Sequence, residues 1–143
     1  MQLPDSIKQH LSKEFRFIAT RLTKTTSLET KLYFFSAFYG EANRALNYYW
    51  DSELALLHLV LQSVHQQITA RMGALSRRAE RPVAIPNELI PALDQVALDL
   101  ATLFELEKMD SQMLYKILCR ISELGYSATG NGYYLYTKGE LKI

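Results

Sequence analysis

The sequence predicts a mainly α-helical bundle that ends in a pair of shorter helices and a small β-hairpin. Three observations carry this. Apolar residues recur at spacings of three and four along most of the chain, the mark of helices buried on one side. A single stretch rich in Arg, Gly and Pro, from Met72 to Pro86, interrupts that pattern. Near the C-terminus, Asn131-Gly132 lies between β-prone runs, where the positive φ angles of a type I′ turn favour those two residues.

Composition sets the bounds. With 143 residues, one domain or one core with an appendage is expected. A hydrophobic content of 48% against 22% charged residues is enough for a core and argues against disorder. No run of apolar residues is long enough to span a bilayer, so no membrane association is expected. The N-terminus lacks a charged-then-apolar leader pattern, and the expected location is cytoplasmic. Cys119 is the sole cysteine, which rules out an internal disulfide. The net charge of +1 hides an asymmetry: residues 1–81 carry 11 Lys/Arg and 7 Asp/Glu, a balance of +4, whereas residues 82–143 carry 5 and 8, a balance of −3. Such halves can complement one another between chains.

In chain order, Pro4 suits the first position of a helix whose stripe is Ile7, Leu11, Phe15, Ile18 and Leu22. Lys8, Lys13, Arg16, Arg21 and Lys24 surround that stripe, and solvated charge is their ordinary role. Thr26-Ser-Leu-Glu29 reads as a capping box opening a second helix. Its seam runs Leu28, Leu32, Phe35, Tyr39, Ala42, Leu46 and Tyr49, suited to side-by-side packing. Tyr33, Phe34, Phe38, Tyr48 and Trp50 make the helix too aromatic for one face, so some rings should meet another helix or another subunit. A third helix is expected from about Ser52 to about Ser76, with Asp51 as a candidate cap. It carries Leu54, Leu57, Leu61, Val64 and Ile68, plus a second strip at Leu56, Leu59 and Val60. A helix apolar on two sides is sandwiched between others or lies in a dimer interface. Leu32, Phe35, Tyr39, Leu54, Leu57, Leu61 and Val64 are therefore the candidate interface residues of a homodimer.

Beyond an expected linker at residues 81–86, a helix opens near Asn87 with Leu89, Leu93, Val96, Leu100 and Leu103 as its seam. Pro91 fits only in its first turn. Asp110 caps the next helix, expected over Ser111–Leu124, with Leu114, Ile117, Leu118, Ile121 and Leu124 buried and Gly125 as its left-handed terminator. Tyr126-Ser-Ala-Thr129, the Gly130–Gly132 turn and Tyr133–Thr137 then form the hairpin.

The run LDLATLFELEKMDSQMLYKILCRISELGY, followed by GYYLYTKGEL, resembles a winged helix-turn-helix module over the last third of the chain. The resemblance implies a helix-turn-helix-like pair and a wing, with residues 1–80 as a dimerisation body and residues 87–143 as the reading module. The second helix would enter the major groove of duplex DNA and present Gln112, Tyr115, Lys116 and Arg120. Arg77, Arg78 and Arg81 in the connector would add phosphate contacts. The alternative is a helical interaction or assembly module with no nucleic-acid role, since a winged shape also serves protein contacts.

Nothing points to catalysis, and the expectation is a non-enzyme without cofactor, metal or small-molecule substrate. His58 and His65 are seven residues apart, whereas helical metal ligands sit three or four apart. Glu41 and Glu53 supply no such pair with them. A Gly-rich phosphate loop and a nucleophile elbow are both missing from the sequence.

Overall fold

A computed structural model describes residues 1–77 and 87–129, with side chains described up to Arg71 and from Asn87 to Ala128. Five helices account for nearly all of them: α1 (Asp5–Lys24), α2 (Leu28–Tyr48), α3 (Ser52–Arg77), α4 (Leu89–Glu105) and α5 (Ser111–Thr129).

Each helix begins where its local chemistry allows. Pro4 is the N-cap of α1 rather than its first helical residue, with an extended ψ of 145°. Its carbonyl accepts from Lys8 N at 2.9 Å. The cap of α2 is Ser27, not Thr26. The Ser27 hydroxyl accepts from Thr30 N at 3.3 Å and donates to Glu29 at 2.9 Å. Glu29 therefore sits one position too early for the reciprocal box that the sequence suggests. Between α2 and α3 the chain breaks at Tyr49, which is extended (φ −150°, ψ 116°). Asp51 Oδ1 then caps α3 by accepting from Leu54 N at 2.9 Å. Residues 28–77 are thus two helices, and Leu89 as the first residue of α4 leaves Pro91 in the first turn.

The helices close a five-membered ring. In it α1 touches α2 and α4, α3 touches α2 and α5, and α4 and α5 touch each other, while α2 and α4 also meet across the middle. Buried residues from all five helices share one core. The aromatic centre is Phe15, edge-on to Phe38 at 5.0 Å and to Phe104 at 4.6 Å. Leu32, Phe35, Leu54, Leu57, Leu61 and Val64 are buried in this core and Tyr39 is half-buried. The seams expected at a dimer interface are thus covered within one chain. The second strip of α3 divides: Val60 is buried, Leu56 half-buried and Leu59 exposed.

Two expectations near the C-terminus change. Gly125 does not end α5, which runs on to Thr129. A Cβ there would collide with Gln67 Oε1 and lie 3.6 Å from Val64 Cγ1, so the glycine marks the close crossing of α5 over α3. Tyr126–Thr129, expected as the first hairpin strand, is helical because Ala128 extends the buried stripe of Ile121 and Leu124 by one more turn. The described residues contain no strand. Gly130–Gly132 and Tyr133–Thr137 lie outside them.

Two polar clusters fix the packing. Lys31, 2% exposed, donates to Leu22 O at 3.0 Å and pairs with Asp94 at 2.5 Å, joining α2, α1 and α4. On the other side of α2, His65 Nε2–H donates to Leu32 O at 3.1 Å, since a carbonyl only accepts. That leaves His65 Nδ1 to accept from Tyr39 Oη at 3.3 Å. Phe35 stacks on the same ring. Burial lowers the pKa of His65, partly offset by the Leu32 carbonyl, and burial also lowers that of His58.

Two outcomes follow. Asp94→Ala leaves a buried ammonium without its counter-ion and should cost about 3–5 kcal/mol. Lys31→Met removes the charge itself and should cost clearly less; urea unfolding measures both. Because the folded chain holds His58 and His65 neutral, stability should be complete above the unfolded imidazole value of about 6.5. It should fall as pH drops through that value and the lower folded ones. Urea titrations at about pH 7.5 and about pH 5 should show that drop in wild type and a smaller one in His58→Gln/His65→Gln.

Candidate functional site

The helix pair α4–α5 is the first candidate surface. Leu106 ends α4 in an extended conformation, and Asp110 Oδ1 caps α5 by accepting from Gln112 N at 3.0 Å and Met113 N at 3.4 Å. Leu114, Ile117, Leu118, Ile121 and Leu124 face the core as their spacing predicts. Of the residues expected to contact DNA, Gln112, Lys116 and Arg120 are exposed on the outer face. Arg120 is ion-paired with Asp99 of α4. Tyr115 turns the other way: half-buried, it donates to Glu53 Oε2 on α3 at 3.0 Å, and burial raises its pKa. The amine of Met1 takes the other oxygen of the same carboxylate.

Of the basic connector, Arg77 falls within the described helices, at the far end of α3. Tyr115 meets Glu53 near the start of both helices and Gly125 meets Gln67 further along, so α3 and α5 run parallel. Lys116 is level with the first turns of α3. Arg77, at the other end of α3, lies some 30 Å away at 1.5 Å per residue. Arg78 and Arg81 fall outside the described residues. Over residues 98–124 the carboxylates Asp99, Glu105, Glu107, Asp110 and Glu123 outnumber Lys108, Lys116 and Arg120. The segment that resembles the reading module is therefore acidic on balance, and on the outer face itself Arg120 is already paired with Asp99.

The basic residues of α1 form a second candidate. Lys8, Lys13 and Arg16 line an open groove of about 450 Å³ against Phe104 and Glu105. Two of these cations are engaged within the chain. Arg16 holds Glu105 through two bonds of 2.8 and 2.5 Å, which lowers the carboxyl pKa and raises that of the guanidinium. Lys8 Nζ donates to Glu107 O at 2.7 Å. A smaller cavity of about 230 Å³ lies between α4 and α5 over Leu89, Val96 and Leu124. That is below the usual range for small-molecule sites, about 300–1,000 Å³.

Nucleophile and metal chemistry find little support in the geometry. Cys119 is half-buried, and burial together with Glu123 raises its thiol pKa, away from reactivity. Among the described residues no three of His, Cys, Asp and Glu cluster as metal ligands would.

The third candidate is aromatic, and it was not among the site residues expected from the sequence. Tyr33 is 72% exposed, Tyr48 84% and Trp50 71%, all on α2 or just beyond its end. On α1, Phe17 is 55% exposed under the guanidinium of Arg21, 4.9 Å from the ring centre. Phe34 is half-buried and edge-on to Tyr33 at 5.5 Å. The available signal was a surplus: α2 carries more rings than one buried stripe holds, and the remainder had to face outward. No family model, curated protein or solved structure matches the chain.

Proposed function

We propose that this chain is a non-catalytic helical module that works by binding another protein surface. One observation carries the reading: three large aromatic side chains, Tyr33, Tyr48 and Trp50, stand mostly exposed along α2 and its C-terminal end while the core beneath them is complete. Large exposed apolar patches on a folded chain mark sites of association, and Tyr and Trp are the residues that anchor such contacts. The acidic balance of residues 98–124, and the internal pairing of Arg16 and Arg120, support the same reading, since phosphate binding needs free cations.

The second reading is duplex-DNA binding through α5. It is favoured by the exposure of Gln112 and Lys116 beside a well-capped helix start.

The two separate by variant. In affinity capture with tagged chain, wild type should retain a protein partner that Tyr48→Ser/Trp50→Ser loses at least about tenfold, because hot-spot aromatics carry most of the binding energy. In fluorescence anisotropy on random-sequence duplex DNA, with salt raised from about 50 mM, wild type and Gln112→Glu/Lys116→Glu should be alike and weak. Salt-dependent duplex binding abolished in the α5 variant, with no protein retained, would overturn the module reading in favour of DNA.

A further inference from the structure

We infer that the outer face of α2 is the contact between two copies of this chain, packed antiparallel about a twofold axis passing between Gly40 and Glu41. The inference rests on the interaction-module reading and names its partner. Tyr33, Ala37, Gly40, Arg44 and Tyr48 follow one another at spacings of four, three, four and four, which sets them in one stripe along the helix. All are exposed except Ala37, which is half-buried. The stripe lies on the side of α2 away from the core residues Leu32, Phe35, Phe38, Ala42 and Ala45.

Gly40 is the unusual member. Glycine weakens a helix interior, and α2 continues beyond it to Tyr48. A Cβ built on it meets nothing within 4 Å. Among the described residues neither a turn nor a neighbour calls for glycine here, unlike at Gly125. A bare backbone in the middle of an exposed aromatic stripe lets a second helix come close, since the distance between packed helices depends on the side chains at the contact.

The stripe is also complementary to itself, as an isologous contact must be. About the stated axis Tyr33 faces Tyr48 of the second copy, Ala37 faces Arg44 of the second copy, and Gly40 faces Glu41 of the second copy. Large residues thus meet at the ends and small ones at the centre. Arg44 already reaches Glu41 of its own chain at 3.6 Å. The twofold therefore gathers two guanidiniums and two carboxylates, each Glu41 next to the axis also facing His10 of its own chain at 3.4 Å, so that cations flank the carboxylates.

The two tyrosines supply a large share of the area. At ~200 Å² per large aromatic ring, the exposed fractions of Tyr33 and Tyr48 offer roughly 300 Å² per copy. That is over a third of the ~800 Å² each partner contributes to a standard interface. Phe34, Ala37, Gly40 and Arg44 lie within or beside the same footprint.

The test is the mass of the full chain in solution by sedimentation equilibrium. Wild type at about 50 µM should weigh twice the 16.4 kDa chain. Gly40→Gln and Tyr33→Ser/Tyr48→Ser should each raise the dissociation constant at least about tenfold while keeping the helical circular dichroism. Gly40→Gln fills open space with a better helix former, so the monomer should melt no lower than wild type. In a Cys119→Ser background, a bis-maleimide of about 10 Å should link Tyr33→Cys chains to Tyr48→Cys chains far better than Tyr33→Cys chains to one another. A wild type that stays monomeric, or a dimer indifferent to these variants, would overturn the contact. A monomer that still captures a different protein, or floats with lipid vesicles, through Tyr48 and Trp50 also overturns it, and only protein capture leaves the module reading standing. A monomer that captures nothing overturns both.

Discussion

The buried ammonium of Lys31 is the constraint on which the arrangement of helices depends. A lysine in a protein interior is costly unless charge and hydrogen bonds are returned to it. Here the return comes from two other helices at once. Leu22 O is among the last four carbonyls of α1, which lack partners within their own helix and carry the negative end of its dipole. Asp94 of α4 supplies the counter-charge. The clamp only forms when α1, α2 and α4 meet in one register, so it specifies that geometry more than it adds net stability. Phe15, Phe38 and Phe104 fill the space between the same three helices.

The charge asymmetry of the sequence finds its use in the same place. Its basic first half meets its acidic second half inside one molecule, through Lys31 with Asp94 and Arg16 with Glu105. The exposed Arg16 pair contributes little to stability, about 1 kcal/mol at most. Its effect is on surface character: it neutralises Arg16, a cation of α1 that could otherwise have met phosphate. Complementarity first considered between chains is satisfied within one.

What the sequence made legible was everything decided locally. The seams of α3, α4 and α5 follow from periodicity, and Asp51 and Asp110 cap where a short acceptor side chain precedes an apolar run. What it concealed was decided by neighbours. A glycine near a helix end reads equally as a terminator or as a crossing point, and only the approach of Gln67 on α3 makes Gly125 the latter. The β-prone Tyr126–Thr129 is helical because Ala128 finds a place in the core, tertiary burial overriding local preference. Lys31 sits in the polar first turn of α2 and gives no sign in sequence that its charge is buried. In the site, the outward spacing of Gln112, Lys116 and Arg120 was readable, but the Arg120–Asp99 pair and the turn of Tyr115 toward Glu53 depend on α3 and α4.

These internal engagements decide where the molecule has contact capacity left. Asp94, Asp99, Glu105, Tyr115 and Arg120 of α4 and α5 are engaged with each other or with α1, α2 and α3. The ring of helices closes without the outer side of α2, because Leu32, Phe35, Phe38 and Ala42 already complete the core from its inner side. Burying four positions in this way fixes the rotation of the helix about its axis. Tyr33 and Tyr48, on the opposite side of the helix, are thereby turned to solvent. The exposure of Tyr33 and Tyr48 is thus a consequence of a well-packed core, not of a loose one. A surface held open by the fold itself is pre-organised for a partner, because its side chains are presented by a helix whose backbone is already ordered.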